Sequence, residues 1–159
     1  MRIILVTLLL VSCGQDPFST KKEPAMDLNE FEPYVEMFLS EGAHQGRTIG
    51  VQGLRIKFGH TEWPVIGVCH TGGDAPRITI DFDFWQTANS VRRLTLMYHE
   101  LGHCLLGRGH TDKFSIMQPF LLGASTMTSN EDELFEELFS TNYSLDGNDI
   151  PSDFCGGMH

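Results

Sequence analysis

The stretch at residues 90–119, SVRRLTLMYHELGHCLLGRGHTDKFSIMQP, decides how the rest of the sequence is interpreted. Apolar residues recur through its first half at the spacing of a helix, at Leu94, Tyr98, Leu101 and Leu105. That period places them on one helix face, so we predict a long helix over residues 88–106. Gly107 follows at the position where a glycine commonly ends a helix.

The predicted helix carries the pattern HExxH in His99, Glu100 and His103. Residues four apart lie one turn apart on the same face of a helix, so both imidazoles can reach one metal ion. Glu100 projects about 100° away from His99 and can take a proton from a metal-activated water without being a ligand. We therefore predict two histidine ligands and a catalytic glutamate.

A catalytic zinc ion usually has three protein ligands. His110 follows the turn at Gly107, and we expect it to come back to the ion as the third ligand. Asp112 is the nearest substitute for His110. A glutamate from the following helix is a further alternative, and the candidates are Glu131, Glu133 and Glu136.

With His110 and then Met117 seven residues later, the sequence resembles the metzincin metallopeptidases, and most of all their matrixin-type catalytic domains. That family has an extended zinc motif with a glycine before the third histidine, followed by a tight turn whose methionine lies beneath the metal. The resemblance implies that Met117 is this methionine. The chain departs from the family at one point, because it has one extra residue between His103 and Gly107.

The resemblance extends upstream to an alternating segment at residues 77–84, which predicts a strand that includes Ile78, Thr79 and Ile80. This segment is similar to the matrixin edge strand above the cleft. The resemblance implies that a substrate lies extended along it and pairs with its backbone. It also implies an α+β fold, with a twisted, mostly parallel sheet and an antiparallel edge strand over the long zinc-binding helix.

Periodicity places the remaining elements of this expected fold. An N-terminal helix is capped by Asp27 or Asn29 and ends near Gly42. A C-terminal helix is capped at Ser129 and Asn130 and has acidic residues in its first turn. Two further strands are predicted at residues 54–58 and 65–69.

The N-terminus resembles the signal peptide of a bacterial lipoprotein. Residues 1–12 contain an apolar run that is too short to span a bilayer as a mature helix, and Cys13 follows in a lipobox-like context. The resemblance implies cleavage before Cys13 and its lipidation; an ordinary secretory signal is the alternative. We therefore expect an exported chain anchored to the bacterial envelope, at the outer membrane or cell surface. Residues 13–26 form a flexible tether and residues 27–159 the metallopeptidase domain.

Three further cysteines remain, at positions 69, 104 and 155. An oxidising compartment favours the pairing of two of them. In the metzincin arrangement the zinc helix packs beneath the sheet, which implies a bridge between Cys69 and Cys104. Pairings that use Cys155 stay open.

The composition limits the functions that this chain can have. Its 159 residues suit one domain, and 21 acidic against 11 basic side chains give a net charge of −10. Such a charge repels nucleic acid, so we expect none as a partner. The resemblance implies a monomeric zinc endopeptidase with one zinc per chain, peptide or protein substrates, and Glu100 as general base. The competing hypotheses are a zinc-binding surface lipoprotein without turnover, and a gluzincin-type peptidase with a glutamate as third ligand.

Overall fold

A computed structural model of the chain describes residues 28–140, which form an α+β fold of five helices and three strands. In chain order these are α1 (Leu28–His44), β1 (Arg55–Gly59), β2 (Gly67–His70), β3 (Arg77–Asp81), α2 (Phe82–Thr87), α3 (Ser90–Leu106), α4 (Ala124–Ser129) and α5 (Glu131–Phe139). The α+β class is thereby confirmed. Within residues 28–140, no helix combines the length and the apolar character that a membrane span needs. The signal peptide, the tether, Cys13 and Cys155 lie outside the described residues.

The three strands form one mixed sheet in the order β1-β3-β2. β3 runs parallel to β1 and antiparallel to β2, so the expected mostly parallel sheet is not found in the described chain. β3 is the central strand, which corrects the expectation that Ile78, Thr79 and Ile80 form an open edge. The alternation of β3 indicates one buried face, and a central strand satisfies that pattern as well as an edge strand does. The antiparallel edge strand of this sheet is β2.

The predicted strand at residues 77–84 ends at Asp81, because the chain turns there into α2. Oδ1 of Asp81 accepts a hydrogen bond from the backbone N–H of Phe84 at 2.8 Å. Aspartate is a strong helix N-cap, and this local bond overrides the alternating pattern of Phe82 and Phe84.

The C-terminal part of the described chain contains one helix more than the sequence predicted. α4 precedes α5, and Asn130 lies at the junction, as the C-cap residue of α4 and the N-cap residue of α5. The side chain of Asn130 donates to the carbonyl of Thr126 at 2.8 Å, so it satisfies the end of α4 instead of capping α5.

α3 is the central helix of the domain and carries an unbroken buried run from Thr95 to His103. It packs between α1 and the inner face of the sheet. That inner face consists of Ile56, Phe58, Ile78, Ile80 and Cys69, all of which are buried. The side chain of Asn89 caps the start of α3, and Gly107 ends the helix in the left-handed conformation at φ 66°.

A disulfide joins the sheet to α3. It links Cys69 of β2 to Cys104 of α3, with their Cα atoms 5.6 Å apart, which is the pairing that the resemblance implied. The bridge fixes the edge strand against the helix that carries the HExxH residues.

Candidate metal centre

Three histidine side chains converge at the C-terminal half of α3. Nε2 of His99 lies 3.0 Å from Nε2 of His103 and 3.1 Å from Nε2 of His110, and the remaining pair is 3.1 Å apart. All three residues are at most 3% exposed. Within the described chain these three residues form the one group of His, Cys, Asp or Glu side chains that is positioned to bind a metal ion. The residue that is extra relative to the family motif lies within α3, and the following loop still brings His110 back.

Two backbone carbonyl groups orient the rings on α3. Nδ1–H of His99 donates to the carbonyl of Ile116 at 2.7 Å, and Nδ1–H of His103 donates to that of Arg108 at 2.6 Å. A neutral imidazole has a single N–H, so each Nε2 carries a lone pair directed into the group. Lone pairs that converge in this way can bind a single cation. A carbonyl behind a metal-binding histidine is the usual means of fixing its tautomer.

Burial keeps the three rings neutral. It lowers the pKa of His103 to about 4, and it lowers the pKa of His110 as well. Burial lowers the pKa of His99 too, and the proximity of His103 lowers it further. Neutral imidazole is the form that binds metals, so the folded chain presents its ligands ready for an ion near pH 7.

The acidic alternatives for the third ligand do not belong to this group. The side chains concerned are all solvent-exposed, at Asp112, Glu131, Glu133 and Glu136. The described structure therefore brings His110 to His99 and His103, and no carboxylate joins the metal-binding group.

Met117 lies directly against α3, next to this group. It is fully buried, and a Cβ atom at Gly102 would lie only 2.6 Å from its sulfur. Its backbone carbonyl accepts a hydrogen bond from the amide of Thr111 at 3.0 Å. Because Gly102 has no side chain, the sulfur of Met117 can lie close to the backbone of α3 at the residue that precedes His103.

Glu100 is completely buried between α3 and the edge strand β2. A Cβ atom at Gly67 would lie 2.5 Å from Oε1 of Glu100 and 2.9 Å from Leu96 Cδ1. Any larger residue at this point of β2 would have to displace the ends of these two side chains. Sequence reasoning missed Gly67, although a glycine inside a strand often marks such a close approach.

Sequence reasoning also missed a buried ion pair that supports both orienting carbonyls. Arg108, which is 4% exposed, pairs with Glu137 of α5. Its guanidinium also donates to the carbonyls of Glu137 at 2.9 Å and Leu138 at 2.7 Å. The loop between α3 and His110 is therefore tied to α5.

The second oxygen of Glu137 holds the turn at Met117. It accepts a hydrogen bond from the hydroxyl of Ser115, whose Oγ in turn accepts one from the amide of Met117 at 2.9 Å. The carboxylate of Glu137 thus holds two groups that lie behind the histidines. One is Arg108, whose carbonyl orients His103, and the other is the turn whose Ile116 carbonyl orients His99. No local sequence pattern indicated this link, because its partners lie more than twenty residues apart.

We compared the chain with models of protein families, with curated proteins and with solved structures, and none of the three comparisons found a match.

Proposed function

We propose that this protein is a zinc-dependent endopeptidase in which His99, His103 and His110 hold the zinc and Glu100 is the general base. The observation that carries the proposal is the convergence of three neutral, buried imidazoles beside a fully buried glutamate on the same helix. A metal site that serves only stability has no need of such a glutamate. The HExxH order of these residues supports the same conclusion.

The donor set fits a zinc ion. Tetrahedral zinc with bonds of about 2.0–2.1 Å to nitrogen requires ligand nitrogens roughly 3.3 Å apart. The three Nε2 atoms lie 3.0–3.1 Å apart, so small movements of the rings would reach that geometry. Three imidazoles without a fourth protein ligand are typical of catalytic zinc, which keeps one position for water or substrate.

Glu100 moves the proton in the proposed reaction. Zinc, when bound, supplies a Lewis acid that polarises the peptide carbonyl and lowers the pKa of the attacking water. Glu100 takes the proton from that water and passes it to the leaving amine as the peptide bond breaks. Its burial against β2 holds the carboxylate in one place and away from bulk solvent.

The substrate is expected to lie along the outer edge of β2 and not along β3. In the described sheet β2 has a strand neighbour on one side only, and Gly67 of β2 contacts Glu100. An extended peptide added to this edge would pass beside the general base. This placement favours peptides and proteins over small metabolites as substrates. Lipidation of Cys13, as the sequence predicts, would place the reaction at the bacterial envelope.

The test compares the zinc-loaded wild-type protein with Glu100→Gln on a quenched-fluorescence peptide library. We expect the variant to keep one zinc per chain and to lose about 100-fold or more of the hydrolysis rate, as removal of a general base does. Glu136→Gln is the matched control, because Glu136 is an exposed glutamate on α5. Zinc-loaded wild-type protein that cleaves no peptide would refute the peptidase and leave the non-catalytic zinc lipoprotein.

A further inference from the structure

The outer face of the sheet, turned away from α3, carries a cluster of basic side chains. Its members, which we call the basic sheet face, are Arg55 and Lys57 of β1, Arg77 of β3 and His70 of β2. All four are exposed, and they line an open cavity of about 390 Å³ together with Thr79. No part of the proposed catalytic machinery lies on this face.

The strand register brings these side chains together. Arg55 lies opposite Arg77 across the parallel pair, and Arg77 lies opposite His70 across the antiparallel pair. Lys57 follows two residues further along β1, opposite Thr79. Residues directly opposite in a ladder point to the same face, so the basic groups form one continuous patch.

The stability of the fold does not account for this patch. Like charges placed directly opposite each other destabilise a sheet. Within residues 28–140, none of Arg55, Lys57 and Arg77 forms an ion pair with an acidic side chain. The sequence has 21 acidic residues, which are more than enough to provide an ion-pair partner for each of these three cations. A concentrated basic patch whose three cations form no ion pair within residues 28–140 indicates an anionic ligand.

We propose that the basic sheet face binds an acidic segment of the protein substrate, at a distance from the bond that is cut. This inference rests on the proposed peptidase function. Gly67 lies beside the proposed general base, and His70 lies three residues away along β2, about 10 Å at the rise of a strand. Arg77 of β3 lies opposite His70. A substrate chain that passes the β2 edge can therefore continue onto this face.

The spacing of the basic groups suits an extended peptide. Arg55 and Lys57 are two residues apart on one strand, about 7 Å, which is also the separation of alternate side chains in an extended chain. Aspartate or glutamate at alternate positions would thus meet successive basic groups. The preferred substrate is a protein with such an acidic stretch several residues from the scissile bond.

The test measures binding of two labelled peptides to the full-length, zinc-loaded Glu100→Gln protein, which binds without cutting. One peptide alternates glutamate and serine, and the other has glutamine in place of every glutamate. We expect the acidic peptide to bind at least 10-fold more tightly at low salt. The triple variant Arg55→Gln, Lys57→Gln and Arg77→Gln should abolish the difference and unfold at the same or a higher temperature.

Arg47→Gln is the control for the loss of a positive charge elsewhere on the domain, and it should leave the difference intact. Equal binding of both peptides, or a preference that survives in the triple variant, would overturn the proposal. So would binding to phosphatidylglycerol vesicles through the same three residues without binding of the acidic peptide. If the acidic peptide binds through these residues but zinc-loaded wild-type protein cuts no substrate, the peptidase fails and the acidic-segment site remains.

Discussion

Replacing Glu137 with glutamine should loosen the metal centre although Glu137 is not a ligand. The carboxylate neutralises the buried guanidinium of Arg108 and accepts a hydrogen bond from Ser115. Breaking a buried ion pair costs about 3–5 kcal/mol when both partners are fully enclosed. The side chain of Glu137 is 31% exposed, and Arg108 keeps two carbonyl acceptors, so we expect about 1–3 kcal/mol less stability.

The effect on metal binding follows from the carbonyls that the ion pair positions. The carbonyl of Arg108 accepts a hydrogen bond from His103, and the carbonyl of Ile116, in the turn that Ser115 begins, accepts one from His99. Loss of hydrogen-bond partners behind metal-binding histidines typically weakens metal affinity by 10- to 100-fold. Competition with a zinc chelator at fixed pH measures this loss. Glu136→Gln makes the same change at an exposed neighbour on the same helix. If both variants bind zinc as tightly as the wild-type protein, the ion pair does not support the site.

Three further outcomes follow from the structure. Gly67→Ala should lower stability by about 1–3 kcal/mol, because its Cβ would meet the buried carboxylate of Glu100. It should also reduce the proposed peptide hydrolysis. Gly72→Ala, where the added atom meets open space, is the control, and equal activity of the two variants would contradict the expectation. Serine at both Cys69 and Cys104 should lower the free energy of unfolding by roughly 3–4 kcal/mol, as closure of a loop of this length predicts; an unchanged denaturation midpoint would refute this. The metal-free protein should lose stability as the pH falls from about 7 towards 4, because the unfolded chain binds a proton at His103 near pH 6.5 whereas the folded chain does so only near pH 4. Urea denaturation at several pH values checks this slope, which should be absent if the folded ring titrates normally.

The three longest helices and the three converging histidines could be read from the sequence because their signals are local. The two six-residue helices, α2 and α4, could not. The helical period of α3, the glycine at its end and the HExxH spacing all lie within one continuous stretch, and each depends on the geometry of a single helix. His110 follows within a few residues of that helix, so its return to the other two histidines needed only a short turn.

The sheet order could not be read in the same way. Whether β3 lies at an edge or in the centre depends on where β2 pairs, and the residues of β3 record only that one of its faces is buried. The ion pair of Arg108 and Glu137 is hidden for a similar reason. Each of these charged residues taken alone is typical of a solvated surface, and only the packing of α5 against the loop after α3 brings them together.

The position of Glu137 also determines when the metal centre is complete during biosynthesis. The last of the three histidines is residue 110, whereas the carboxylate that holds the groups behind them lies in α5, the final helix of the described chain. During synthesis from the N-terminus, the three histidines therefore emerge before the carboxylate of Glu137, which holds the groups that orient two of them. If the three histidines bind a metal, we expect tight binding only after α5 has docked, late in the folding of the domain. A chain cut before α5 would keep all three histidines and lose the carboxylate that holds the carbonyls behind two of them, so we expect it to bind metal more weakly than the full chain.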